Sequence, residues 1–531
     1  MSEDHQPHPT AGFTGPDATP TPAGAGTGAW GGGQAEVLES GGPAAPAGPP
    51  ARSRGGRRGL TVVAGAGAAA LVAAGGAYAW ALVGGGGDQA EDHLPATAVS
   101  VVRVDLNPSA SQKLDAVRFF EKFPEARKEF DAQGGDLRKL LYTKLTDGYE
   151  GAPAWSEVEG WLGDRMALAA VPDPADKATA VPVLTFAVTD EAQARTGLAK
   201  LPDDSGFVVR DGWAIVSDSQ PHAQAVADGV DDRPLSQDPS FRGDVDALGD
   251  AGIVRAWFDG RRSGPLIEKL TRSRGVPRST TGWESLEKAH GAFALRFTGG
   301  TMELAGRMDG VEGADAASGA SGVADLPESS LAAVGSGGTG AAVTRQWSTL
   351  MKQLEQTGTD REEIDTQIDE FEDQTGLELP GDLATLLGQR LAVALGKPGA
   401  DDVPAVGARV WSQSPDLAAA LGKVDALLEP TDGAIVREDA PGGYVLASSR
   451  QQADALAAGG KLGSDPRFTA AVPDPAAPSV GFVDVAGILA AYGEDLPAES
   501  RAWLDPLASV GMSAAPTGPT GVRFELRVTT R

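Results

Sequence analysis

The sequence contains no cysteine. That excludes disulfides, thiolate zinc sites, iron–sulfur clusters and cysteine nucleophiles, and leaves the fold to rest on its apolar cores. Histidine is scarce as well. His5, His8, His93, His222 and His290 are scattered and form no His-x-x-x-His pair, so a zinc site would need distant partners. Large apolar side chains are nearly missing from the first 53 residues, where Phe13 and Trp30 stand among Pro, Gly, Ala, Thr and Ser. Such a stretch cannot bury enough surface to offset chain entropy, and it reads as disordered. Positive charge is in deficit. The formal net charge is -28, and the first 87 residues hold four arginines against five acids, so nearly all of the imbalance falls on the remainder. A body that acidic repels phosphate backbones, and no nucleic-acid partner is expected.

One long uncharged run is present, between Arg58 and Asp88. Leu60 to Val83 would make a helix of about 36 Å at 1.5 Å per residue, long enough to cross a bilayer. Arg52, Arg54, Arg57 and Arg58 precede it, while Asp88, Glu91 and Asp92 follow, a distribution that places the N-terminus in the cytoplasm and the C-terminal part outside. Two rival readings stay open. Ala77-Tyr78-Ala79 has the form of a signal cleavage site, and the run could also be a buried core helix.

Beyond Leu94, landmarks recur in the same order. Leu94-Pro95 returns as Leu326-Pro327, Leu162-Gly163-Asp164-Arg165 as Leu387-Gly388-Gln389-Arg390, and Asp238-Pro239-Ser240-Phe241 as Asp465-Pro466-Arg467-Phe468. The intervals run from 222 (Val181 to Val403) to 232 (Leu94 to Leu326), which loop-sized insertions explain. Strand-period alternation at Met302–Met308 and Val522–Val528, a hairpin signal at Thr298-Gly299-Gly300, and helical faces at Val343–Leu354 and Leu417–Leu428 predict an α+β class. The expected organisation is a disordered cytoplasmic head (1–59), one transmembrane helix (60–83), a Gly-rich tether (84–93), a first α+β copy (94–308), a linker (309–325) and a second copy (326–531). Each copy is expected to carry its own mainly antiparallel sheet with packed helices.

The Pro/Gly-rich head, the Arg-flanked span and the paired Leu-Gly-x-Arg, aromatic-led strand (Trp213–Ser217; Tyr444–Ser448) and Asp-Pro-x-Phe motifs together resemble an uncharacterised actinobacterial family of membrane-anchored proteins, catalogued as a domain of unknown function. The resemblance covers roughly Leu94 onward. It implies location and fold, and no catalytic residues.

Four patterns invite chemistry. Gly335-Ser336-Gly337-Gly338-Thr339-Gly340 fits a dinucleotide fingerprint, but the ribose-binding acid has no place to stand, and a flexible strand-to-helix link is the alternative. Ser285-Leu286-Glu287-Lys288 has Ser-x-x-Lys spacing without its companion motifs. Asp244, Asp246 and Asp250 resemble a calcium loop that lacks its glycine and final Glu, so a solvated helix face is preferred. The acids from Asp360 to Asp373 interleave with Ile364, Ile368 and Phe371, apolar side toward a core, acids toward water or toward a cationic partner. Eight outer tryptophans could stack on sugars, although most lie in apolar runs.

No catalytic, cofactor-binding or metal-binding residue is therefore expected. The leading expectation is non-catalytic binding or scaffolding in the cell envelope. The partners would be the lipid bilayer through the Leu60 to Val83 helix, and an envelope ligand or protein held between two lobes. The alternative is an extracytoplasmic hydrolase using a carboxylate pair invisible in the sequence.

Overall fold

In the computed structural model the described residues are 89–531, apart from 107, 133–135, 147–152, 251, 275–286, 357–359, 400–403, 429–434 and 494–495. Sixteen strands follow the chain. The first eight are β1 (Ser100–Asp105), β2 (Leu162–Pro172), β3 (Ala180–Val188), β4 (Gly206–Arg210), β5 (Trp213–Ser217), β6 (Val254–Asp259), β7 (His290–Thr298) and β8 (Thr301–Asp309). The second eight are β9 (Ala332–Gly337), β10 (Arg390–Leu395), β11 (Val406–Trp411), β12 (Val436–Ala440), β13 (Gly443–Ala447), β14 (Ser479–Val483), β15 (Leu507–Pro516) and β16 (Val522–Thr530).

These strands make one continuous antiparallel sheet in the order β12-β13-β11-β10-β9-β14-β15-β16-β8-β7-β6-β1-β2-β3-β5-β4. The order is palindromic, since the second half lays out its strands as the first does, read from the opposite edge. The join is β16 on β8, paired from Val522↔Met308 to Val528↔Met302. A separate sheet in each of two tandem copies is not what forms, because the last strands of both halves satisfy each other's open edges and close one sheet across the boundary. A cleft between two lobes is likewise replaced by a hydrogen-bonded seam.

The predicted span Leu60–Val83 lies outside the described residues. Among the described residues no helix is long and apolar enough to cross a membrane. The longest of them, Thr339–Gln356, carries Arg345, Lys352 and Glu355. That conflicts with the expected single-pass architecture and with the sidedness derived from it, which no described helix carries. Physically, the run that suggested them draws most of its apolar character from Ala and Gly, which contribute little to insertion.

Local rules explain the elements. In Asp-Pro-x-Phe the aspartate caps a helix and proline occupies its first turn, where no amide partner is lost. Asp238 accepts from the Ser240 and Phe241 amides, and Asp465 from the Arg467 amide. The phenylalanines then drop into the core, Phe241 edge-on to Trp257 and Phe468 against Phe482. Gly299 and Gly300 both have positive φ in the two-residue β7–β8 turn, the conformation such a hairpin demands. Phe119 and Phe120 of the helix Ala110–Phe120 pack with Phe297 on the other sheet face, in a cluster that reaches Val528 and so crosses the seam.

Two segments pack where the sequence suggested spacers. Ala90–His93 forms a buried turn, and its Glu91 lies 3.2 Å from Arg103 and 3.4 Å from Arg255, which face each other across β1 and β6. The stretch read as a linker includes buried Ser321 and Val323 and lies over β9. Its small residues allow that approach. A Cβ added at Gly337 would sit 2.3 Å from the Ser318 carbonyl oxygen. In the acidic helix Arg361–Thr375, Ile364 is buried as expected, whereas Phe371 is exposed.

An Asp–Arg–Asp clamp holds a helix to a strand end in each half. Arg262 reaches Asp238 at 2.8 Å and Asp259 at 3.0 Å, and Arg467 binds both Asp465 (2.5 Å) and Asp484. Asp259 and Asp484 are almost fully buried. Removing a partner from a buried ion pair costs roughly 3–5 kcal/mol, and Arg467 is partly solvated, so Arg467→Ala should cost about 2 kcal/mol in urea unfolding. Hydrogen bonds from Arg467 hold the Asp465 carboxyl below its ordinary range against the opposing effect of burial. A carboxyl depressed in the folded state stabilises above its unfolded pKa and loses that contribution as pH falls through the folded one. The gap between wild type and Arg467→Ala should accordingly be widest near neutrality and shrink as the solution is acidified below about pH 4.

Candidate functional site

The chemically richest groove, about 460 Å³, lies between the helix Pro239–Asp246 and the adjoining ends of β7 and β8. The helix is placed by its Asp238 cap and by buried Phe241, which fix its rotation. One turn after Phe241, Asp244 then faces the sheet. Its carboxylate accepts from Trp257 Nε1 on β6 at 2.8 Å and contacts His290 Nδ1 on β7 at 2.9 Å through both oxygens. His290 is paired with Asp259 on one side and Asp309 on the other.

Arginines complete the groove. Arg261 gives Nε and Nη2 to Asp259 at 2.9 and 2.8 Å, and Nη2 also donates to Ser240 Oγ at 2.6 Å. Burial acts to raise the Asp259 carboxyl, but Arg261 and Arg262 outweigh it and hold the group below its ordinary range. Arg307 spends Nε on Asp309 at 3.0 Å. Among the described residues, its two terminal nitrogens, Nη1 of Arg261 and Nε2 of His290 make no hydrogen bond. The acids of the groove are each engaged by a neighbour, while several guanidinium N–H groups are not.

The other half does not repeat this site. By the spacing of the Asp-Pro-x-Phe motifs Ala471 stands where Asp244 does, and at the strand ends Phe482 and Ser509 stand for Trp257 and His290. Ser509 turns its hydroxyl to Thr529 and to the Arg467 carbonyl. The clamp is common to both halves; the His–Asp pair belongs to one.

A second depression of about 730 Å³ borders the Gly335–Gly340 turn and is lined by Gln389, Arg390, Trp411 and Gln413. Here the glycines serve packing. A Cβ at Gly340 would lie 2.2 Å from the Ala384 carbonyl oxygen, and the Gly338 and Gly340 amides already bond Gln389 and Gly388. A pyrophosphate cradle needs those amides open, so the fingerprint describes a tight strand-to-helix contact. The Trp411 ring is occupied by Arg390 and Arg409, 4.4 and 5.1 Å from its centroid.

The remaining sequence candidates disperse. Asp244 is inside and taken, leaving no calcium loop with Asp246 and Asp250. Ser285 lies outside the described residues, and Lys288 pairs with Glu312. His93 stacks on Trp213, and His222 Nδ1 contacts Asp218 at 2.6 Å. Trp161, Trp213 and Trp257 are core, while Trp503 is exposed. Among the described residues no cluster of three metal-ligating side chains occurs. Sequence reasoning missed the pairing of Asp244 with His290, 46 positions apart, and the nearest signal for it is that the second half lacks both residues at matching places. No family model matches the chain, and no curated protein matches it either.

Asp244→Ala would leave the Trp257 indole N–H and His290 without their buried acceptor. We expect it to lower stability by about 2–3 kcal/mol, with Asp244→Asn milder because its amide oxygen can still accept from Trp257. Denaturant unfolding followed by tryptophan fluorescence measures both.

Proposed function

We propose that this protein acts by holding a ligand without transforming it, in the groove walled by Pro239–Asp246 and floored by His290 and Arg307. The observation that carries this reading is the set of open guanidinium N–H groups on Arg307 and Arg261 and the open Nε2 of His290, beside a fixed Asp244. A fixed imidazole flanked by guanidinium groups favours recognition, because its orientation is set before any ligand arrives. The serine in the groove supports binding over covalent chemistry, since Ser240 Oγ accepts from the Arg261 guanidinium and, among the described residues, donates to no base. A nucleophile would need that hydroxyl on its base.

The second reading, a hydrolase with paired carboxylates, has one specific observation in its favour. Glu303 on β8 and Glu525 on β16 meet at the seam, where burial and the neighbouring Glu303 push the Glu525 carboxyl up. Yet Arg296 and Arg527 grip Glu303, and Arg527 also pairs with Glu525 at 2.5 Å. That arrangement reads as a strut joining the halves, with the charges already matched within the sheet.

The test is to mix the full chain with a panel of small polar metabolites, detect bound compounds by saturation-transfer NMR, and follow the mixture by mass spectrometry. We expect a ligand that His290→Ala weakens and that is recovered intact. Conversion to product by wild type, lost in His290→Ala, would replace this reading with an enzymatic one.

A further inference from the structure

Resting on that reading of the groove, we infer that the ligand group it recognises is a tetrahedral oxyanion of the phosphate class, free or carried on a small molecule. In a chain of net charge -28, an anion needs a place where nitrogen groups of arginine and histidine gather. The groove collects three sources of them. Arg307 is about a third exposed and offers a two-nitrogen edge, because only its Nε is committed to Asp309. Arg261 is anchored by Asp259 and Ser240, which leaves Nη1 toward solvent. His290 is held through Nδ1 by Asp244, which leaves Nε2 as the nitrogen that can meet a ligand; with Nδ1–H on Asp244 it accepts from the O–H of a hydrogen phosphate.

Guanidinium edges bind oxyanions through parallel N–H···O pairs, and fixing the arginines beforehand lowers the cost of ordering them. The groove's own acids do not repel the guest strongly, since Asp244 is buried against Trp257 and His290 and Asp309 lies against Arg307. A carboxylate would use one guanidinium edge. A tetrahedral group has oxygens to spare for Arg307, Arg261 and His290 together. The volume, about 460 Å³, leaves room for a small organic portion beside the anion.

Isothermal titration of the full chain at low ionic strength, in a buffer free of phosphate, tests the inference with inorganic phosphate, glycerol 3-phosphate and glycerol. We expect glycerol to be silent and at least one phosphate probe to bind. Arg307→Gln should weaken that binding on the order of tenfold or more, the loss of one charge-assisted pair. His290→Gln should weaken it several-fold, with the thermal midpoint of Arg307→Gln unchanged. Binding of inorganic phosphate points to the free ion, and binding of glycerol 3-phosphate alone points to a carried phosphate. No binding of either probe, or equal binding by wild type and Arg307→Gln, overturns the inference. An uncharged panel ligand seated at His290 would refute the oxyanion assignment while leaving the non-catalytic reading intact; turnover would do the reverse.

Discussion

Everything in the described part of this protein is arranged about the pairing of β16 with β8. Each half ends in a strand whose outer edge would otherwise present unpaired amides and carbonyls, and the two ends answer one another. On one face the join is apolar, with Phe293 and Phe524 in contact at 5.7 Å and the Phe297 cluster extending to Val528. On the other face it is ionic, with Glu303 bound by Arg296 from its own half and by Arg527 from the other. Backbone, apolar and charged terms thus act at the same place. This is why the halves share one sheet instead of standing as lobes with a cleft between them.

That fusion changes where grooves can form. With the space between halves filled by a hydrogen-bonded seam, grooves form where helices leave the sheet. There each half had the same framework available, a capped helix clamped to a strand end by arginine between two aspartates. One half carries a histidine, its aspartate and a tryptophan on that framework, while the other has Ser509, Ala471 and Phe482 in those places. A repeated scaffold with one differentiated groove keeps the stabilising geometry in both halves and the His–Asp pair in one.

Much of this was legible from residues close together in the sequence. Asp-Pro-x-Phe contains its own explanation, a cap, a first-turn proline and a core anchor, and Gly299-Gly300 states its turn. The helices at Thr339–Gln356 and Leu417–Leu428 follow from their apolar spacing. What escaped depends on long-range neighbours. Nothing local says that Val522–Val528 will pair with Met302–Met308, or that the clamp arginine comes from after the strand in one half (Arg262) and from within the helix in the other (Arg467). The glycines at 335–340 look like a ligand loop because close approach to a phosphate and close approach to the chain's own carbonyls ask for the same missing Cβ. The Gly/Ala/Ser stretch before them looks like a spacer for the complementary reason, being the partner that lies against them.

The seam also sets a timetable. As the chain is synthesised, β8 is finished long before β16, and the whole second half must be made before its partner strand exists. During that interval the first half carries an open edge next to Phe293 and Leu304, a ready template for the corresponding strand of another nascent copy. Since β8 and β16 hold matching places in the palindromic order, such a stray β8–β8 pairing would imitate the native seam and leave the β16 of both chains without its partner edge.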